Sequence, residues 1–348
     1  MLALASAVLL SGCVGLGPRI ARDGHAGYAQ ALSDVAKRQV LLNIVRLRYA
    51  DVPTFLTVNQ IVANYSVQGT LNLGTDFVDS NGWSLSDDVN FGIGGSVTDN
   101  PVVTYAPVTG RELAELLLAP LAASDLFGLL LAGVPPDLAL GIGLSSLNGL
   151  RNVQIGPLGA ISGDDGFAEA LHLLVSLSNR GHFRPRIETR GSARTVLLML
   201  DRDPASEPEM RRLLELLQVD PDAKELRVEQ GLFARGSSSI VVRTRSMIEV
   251  LGRLAADVDV PADDLEAGRT FRVSPPGNVR AAIPRLVVRN DRSEPSDAMV
   301  AAYYSGRWFW IDDKDVASKR IFTFVMLLAS LAESDRPGQA PILTIPTG

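Results

Sequence analysis

Apolar residues recur at helical spacing from about residue 28 to 49. Leu32, Val35, Val40, Ile44 and Leu47 share one face, and Leu41 and Val45 widen it. The pattern predicts a long core helix whose polar surface is basic, with Lys37, Arg38, Arg46 and Arg48. Such a surface serves either as a solvated face or as a contact for anionic lipid headgroups. Asp51-Val52-Pro53 ends the helix, because the residue before a proline is pushed toward extended geometry. The period then changes from 3.6 to two. Ile61, Ala63, Tyr65, Val67, Gly69, Leu71 and Leu73 alternate with Asn64, Ser66, Gln68, Thr70 and Asn72, which predicts one strand of roughly 40 Å at about 3.3 Å per residue. Beyond a polar turn containing Asn81-Gly82, alternation resumes at Val89, Phe91, Ile93, Gly95 and Val97, and residues 102–105 add a short strand. An amphipathic meander packed on helices satisfies this pattern. So does a transmembrane hairpin donated to an oligomeric barrel, which needs about 9–11 alternating residues per strand, with Phe77 and Trp83 as interface aromatics near the tip.

Residues 111–150 are Leu-rich and broken by Pro120, Pro135 and Pro136, predicting short helices at about 111–119, 124–132 and 136–148. Asp125 and Pro120 argue against a membrane span there and for a buried helical subdomain. The Gly-rich stretch 151–166, with Pro157 and Asp164-Asp165, reads as a linker. Past it the elements shorten: a helix over 166–180, a central strand over 195–200, and strands at 226–228 and 240–242. Ser206 with Glu209 and Ser246 with Glu249 read as capping boxes opening two amphipathic helices, the first carrying a Glu207–Arg211 pair. Pro275-Pro276-Gly277 marks a loop, and strands follow at 285–289, 299–304 and 307–311, the last two joined tightly at Ser305-Gly306. A final helix over 316–333, capped by Asp315, is apolar nearly all round and is expected to be deeply buried. The expected fold class is α+β: an N-terminal helix, a long antiparallel β-hairpin or meander and a helical region over 27–155, then a smaller mixed α/β domain over 166–335. Residues 336–348 read as a flexible tail.

The chain of 348 residues has room for two modest domains, and 46% hydrophobic content describes a globular protein. A net charge of −6 gives no electrostatic reason to expect nucleic-acid binding. Cys13 is the single cysteine, so no disulfide forms within the chain. Residues 2–10 are apolar or small, too short to span a bilayer and matching the h-region of a secretory signal. They lead into Leu10-Ser11-Gly12-Cys13, which resembles the lipobox of bacterial lipoproteins. The resemblance implies removal of residues 1–12, lipidation of Cys13, and a tether over 13–26. Val14 after the cysteine implies the outer membrane. No Lys or Arg precedes Cys13, so the true start is expected upstream, with Met1 internal. The stretches Asn43-Ile44-Val45-Arg46-Leu47-Arg48-Tyr49, Thr104-Tyr105-Ala106-Pro107 and 308–320 are similar to proteobacterial envelope lipoproteins, a resemblance that implies a location and no activity.

Aromatic density peaks at Tyr303, Tyr304, Trp308, Phe309 and Trp310, followed at once by Asp312, Asp313 and Asp315. Tyr304, Trp308, Trp310, Asp312, Asp313 and Asp315 therefore form the candidate binding surface. Aromatic rings beside carboxylates suit a glycan or a protein partner, and a core hairpin with an acidic helix cap is the alternative. The three aspartates match no calcium-loop spacing, and His25, His172 and His182 show no zinc spacing. His172 reads as a core histidine. Gly143-Leu144-Ser145-Ser146-Leu147 lacks the final glycine of a nucleophile elbow and falls in a predicted helix. No metal, cofactor or catalytic constellation emerges. The expected partners are a membrane, through lipid on Cys13, and an envelope protein or a second copy of the chain. An oligomeric pore using residues 58–98 and a glycan-binding or glycan-cleaving protein remain as alternatives.

Overall fold

The structure, a computed structural model, describes residues 16–62, 65–75, 89–99, 102–156, 159–161, 163–191, 193–202, 206–231, 236–273, 284–334 and 342–344. Cys13 with its lead sequence, the expected hairpin tip at Phe77, Asn81-Gly82 and Trp83, and Pro275-Pro276-Gly277 lie outside the described residues. The architecture is α+β. It divides into two compact units, Met1–Thr54 with Thr109–Arg336, and Phe55–Val108 with Pro337–Gly348.

In the smaller unit, β1 (Phe55–Val62) and β4 (Val102–Val108) pair antiparallel, from Phe55 opposite Val108 to Val62 opposite Val102. Strand β16 (Ile342–Thr344) pairs parallel with the other edge of β1, so three residues of the expected loose tail are a strand. Strands β2 (Tyr65–Thr75) and β3 (Val89–Asp99) pair antiparallel without a slip, from Tyr65 opposite Asp99 to Thr75 opposite Val89. The β1–β4 and β2–β3 pairings keep one register, Val62 opposite Val102 and Tyr65 opposite Asp99, as a long antiparallel hairpin requires.

The larger unit is threaded by α1 (Leu16–Arg48), which begins inside the expected tether. Its last turns run through the core, where Leu41, Ile44 and Val45 are fully buried. Asn43 closes the following turn by donating to the Thr54 carbonyl at 2.8 Å and accepting from the Thr54 N–H at 3.0 Å. Of the expected basic face, Arg38 is exposed and Lys37 pairs with Asp34 at 3.0 Å, but the other two arginines are engaged by the fold. Arg48 is buried, donates to the Phe271 carbonyl at 2.6 Å and sits 4.6 Å from the centre of the Phe271 ring, while Arg46 bonds the Thr54 hydroxyl.

Helices α2 (Gly110–Leu118), α3 (Ala123–Leu131) and α4 (Pro136–Gly143) fall where the prolines predict. Helix α4 stops five residues short of the expected 148. The chain becomes β5 (Leu144–Leu147), turns through Asn148-Gly149 and returns as β6 (Leu150–Arg151). Both turn residues have positive φ, 44° and 88°, the geometry whose twist matches a two-residue hairpin. The expected linker contains a further small hairpin, β7 (Gln154–Gly156) with β8 (Gly159–Ile161). Helix α5 (Asp165–Asn179) follows, then β9 (Phe183–Arg190), β10 (Ala193–Leu200), α6 (Glu207–Leu216), β11 (Glu225–Gln230) and β12 (Ser239–Thr244).

One mixed sheet, ordered β6-β5-β12-β11-β10-β9, joins segments from both sides of the expected boundary at 151–166. Only its β11–β12 pair is parallel. Helices α3 to α6 cover one face, where Phe127, Leu174 and Leu213 meet Leu147, Leu198 and Ile240. At Ser206 the predicted box does not form: its side chain makes no cap bond, and Glu209 pairs with Arg180 instead. Pro208 in the first turn presets the helical φ without that box. The box at Ser246 does form, opening α7 (Met247–Ala255), with the Glu249 carboxylate accepting from the Ser246 N–H at 2.8 Å.

A short helix α8 (Ala262–Glu266) leads to a second sheet, ordered β13-β15-β14, from β13 (Arg289–Asp291), β14 (Ala298–Tyr304) and β15 (Arg307–Asp312). The C-terminal helix α9 (Val316–Ser334) packs on β15 and α7. It is buried on one side only: Phe322, Val325 and Leu328 are inside, whereas Val316 is 65% and Leu327 42% exposed. Composition made it look apolar all round, but Thr323, Ser330 and Arg320 lie on the open side. No helix among the described residues is long and apolar enough to cross a membrane.

Candidate functional site

The aromatic cluster lies on the β14–β15 hairpin. Ser305 and Gly306 take φ of 48° and 83°, so the two-residue turn is again of the type that fits strand twist. The turn fixes the register: Tyr303 stands opposite Trp308 and Ala301 opposite Trp310. On the other side of β15, Asp291 stands opposite Trp308 and Arg289 opposite Trp310. Directly opposed residues share a face. One face of the sheet therefore carries Tyr303, Trp308, Trp310, Asp312, Arg289 and Asp291. The other carries Val300, Ala302, Phe309 and Ile311, all buried.

On the first face Tyr303 is 58% exposed, and its ring centre lies 5.4 Å from that of Trp308 at an edge-on 62°. Trp308 and Trp310 are half-buried. The Arg289 guanidinium reaches Asp312 at 3.6 Å and forms a charged rim. The Ser293 N–H and hydroxyl hold the nearby Asp291 carboxyl below the usual carboxylate range.

The other predicted members separate. Tyr304 belongs to the opposite face, its ring 5.3 Å from Tyr49 and its hydroxyl donating to Asp51 at 3.2 Å. Asp313 turns to Lys319, 2.6 Å away, an exposed contact that lowers its pKa. Asp315 caps α9, accepting from the Ser318 hydroxyl at 2.7 Å and the Ser318 N–H at 3.1 Å, which together hold its carboxyl ionised to lower pH. Asp312 accepts from the Lys314 N–H at 2.9 Å. Among the described residues no three His, Cys, Asp or Glu side chains gather as a metal cluster. The acidic end thus divides into a helix cap, a turn and a rim ion pair.

Sequence reasoning left out Tyr303 as a surface residue, although the Ser305-Gly306 turn sets it opposite Trp308. Arg289 had no such signal, because β13 reaches β15 from outside the hairpin. Ser145 is buried in strand β5 and donates to the Arg243 carbonyl at 3.1 Å, so the segment is neither a helix nor an elbow. His172 is exposed on α5 rather than in the core. Behind the sheet, the Tyr49 hydroxyl donates to Asp264 at 2.7 Å; burial first and that carboxylate second push its pKa well up.

The outer face offers aromatic edges and faces for stacking and a charged rim for hydrogen bonds. No protein-family model, curated protein sequence or solved structure matches this chain.

Proposed function

We propose that this protein is a lipoprotein anchored through Cys13 at the periplasmic face of the outer membrane. It acts there without catalysis, by contact with an envelope protein or a second copy of itself. The observation that carries the contact reading is the side-by-side array of Tyr303, Trp308 and Trp310 on the open face of a sheet whose other face fills the core. Aromatic residues set among polar neighbours are the residues that dominate binding energy at protein interfaces. The anchor rests on the Leu10-Ser11-Gly12-Cys13 sequence. Labelled palmitate incorporated by the wild-type chain and lost in Cys13→Ser supports it, and an unlabelled wild-type chain refutes it. For the surface, a Trp308→Ala, Trp310→Ala double variant that folds normally is expected to lose its envelope crosslinks. Loss of polysaccharide binding instead would favour the glycan reading of the same rings.

A pore remains the second reading, favoured by the unbroken eleven-residue pairing of β2 with β3. At about 3.3 Å per residue that ladder is about 36 Å long, enough for a tilted crossing of a hydrocarbon core about 30 Å thick. Conductance in planar bilayers supports it, and detergent-extracted monomer without conductance removes it.

A further inference from the structure

The face of the six-stranded sheet turned away from α3–α6 carries a polar groove of about 320 Å³. Its floor follows from strand register. Arg243 of β12 stands opposite Ser146 of β5, and Ser146 stands opposite Arg151 of β6. Three directly opposed residues on adjacent strands project from one face at a spacing of about 4.8 Å per strand. Two guanidinium side chains therefore flank one hydroxyl, with Gln154 beside them. The Asn148-Gly149 turn creates this arrangement by folding Arg151 back against Ser146. Asn152 then locks the chain after Arg151. It is fully buried, donates to the Gly141 and Leu144 carbonyls at 2.8 Å each, and accepts from the Val153 N–H at 2.7 Å. A Cβ added at Gly149 or Gly231 would meet nothing within 4 Å, so the groove is open above both.

Its charge is positive in a chain that is acidic overall. Arg151 is engaged by Asp164, which it meets at 3.0 Å through Nη2 and 3.4 Å through Nε. Arg243 is exposed, and no carboxylate among the described residues pairs with it. The groove therefore presents one guanidinium with no carboxylate partner among the described residues, a second held by Asp164, and a hydroxyl between them. Donors converging from three strands suit a tetrahedral oxyanion, and arginine forks match phosphoryl oxygens in pairs.

We propose that this groove binds a phosphoryl group, with Arg243 and Arg151 as its charged donors and Ser146 as the donor between them. The group comes either as free phosphate or as the phosphodiester of an anionic lipid headgroup. The test is calorimetric titration of the full-length protein, in a buffer without phosphate, with inorganic phosphate and separately with soluble dihexanoyl phosphatidylglycerol. Binding is expected with at least one of the two. Affinity should fall about tenfold or more in Arg243→Gln and in Arg151→Gln, and stay unchanged in Arg111→Gln, whose side chain is 92% exposed on α2. Heat with phosphate alone identifies the free anion, and heat with the lipid alone identifies a headgroup. Asp164→Asn, which frees Arg151, should tighten binding about threefold. No binding of either compound, or equal affinity in wild type and a folded Arg243→Gln, overturns the proposal.

Discussion

Arg245 gives the sharpest energetic test of the larger unit. The residue is 1% exposed and its guanidinium pairs with no carboxylate among the described residues; it donates to the Ile142 carbonyl at 2.9 Å, to the Gly141 carbonyl at 3.3 Å and to the Val153 carbonyl. Two of these acceptors belong to the last turn of α4, whose final carbonyls have no partner within the helix. The side chain thus satisfies a buried helix end and ties it to residue 153. Burial first, and Arg253 second, push its pKa down, so the charge itself opposes folding. In Arg245→Met two effects compete. Removing a buried charge recovers its desolvation cost. The Ile142 and Val153 carbonyls lose their donor, at about 1–3 kcal/mol each, while the Gly141 carbonyl keeps Asn152. Truncating one side of a buried polar network usually leaves the second effect dominant, so the net loss should be about 3 kcal/mol. With a urea dependence of about 3 kcal/mol/M, the unfolding midpoint should drop by about 1 M. An unchanged or raised midpoint would show that the carbonyls find other donors and that Arg245 does not hold the α4 terminus.

Three further outcomes follow from other contacts. Tyr49→Phe removes the 2.7 Å bond to Asp264 and leaves that carboxylate one donor short, which should cost about 1–2 kcal/mol in urea melts while the fold persists by circular dichroism. Asp315→Ala uncaps α9 and should cost about 1 kcal/mol. Because the Asp315 carboxyl is held below its ordinary value of 3.8, its contribution is complete above that value and is lost as pH falls through the lower folded one; acid melts of Asp315→Asn should lack this step. Gly163→Ala brings a Cβ to 2.7 Å from the Val153 nitrogen and 3.0 Å from the Arg151 carbonyl, both backbone atoms, so stability should fall by about 1–3 kcal/mol. A variant as stable as wild type would show that this loop has room to move.

The sequence was most informative where the signal is local. Prolines 120, 135 and 136 divide the Leu-rich region into helices at the expected places, and Ser305-Gly306 marks the hairpin that carries the tryptophans. It was silent where structure depends on distant partners. Nothing local to 55–62 reports that Ile342–Thr344 pairs parallel along the edge of β1. The Ser305-Gly306 turn also places Tyr303, not Tyr304, on the face of Trp308; which of the two faces meets the core is not local information. Asn148-Gly149 was a legible turn signal, outweighed by the apolar spacing before it; reading it would have ended α4 early and revealed Arg151 opposite Ser146.

The contact surface is tested most directly in cells, with a photo-crosslinking amino acid replacing Tyr303, which is 58% exposed beside Trp308. Val316, 65% exposed on α9 outside the aromatic array, serves as the control position. A discrete envelope-protein adduct or a covalent dimer from position 303, absent from position 316 and abolished by Trp308→Ala with Trp310→Ala, is the predicted result. No adduct at position 303, or the same adducts from both positions, would contradict the assignment of this face as the surface through which the protein acts.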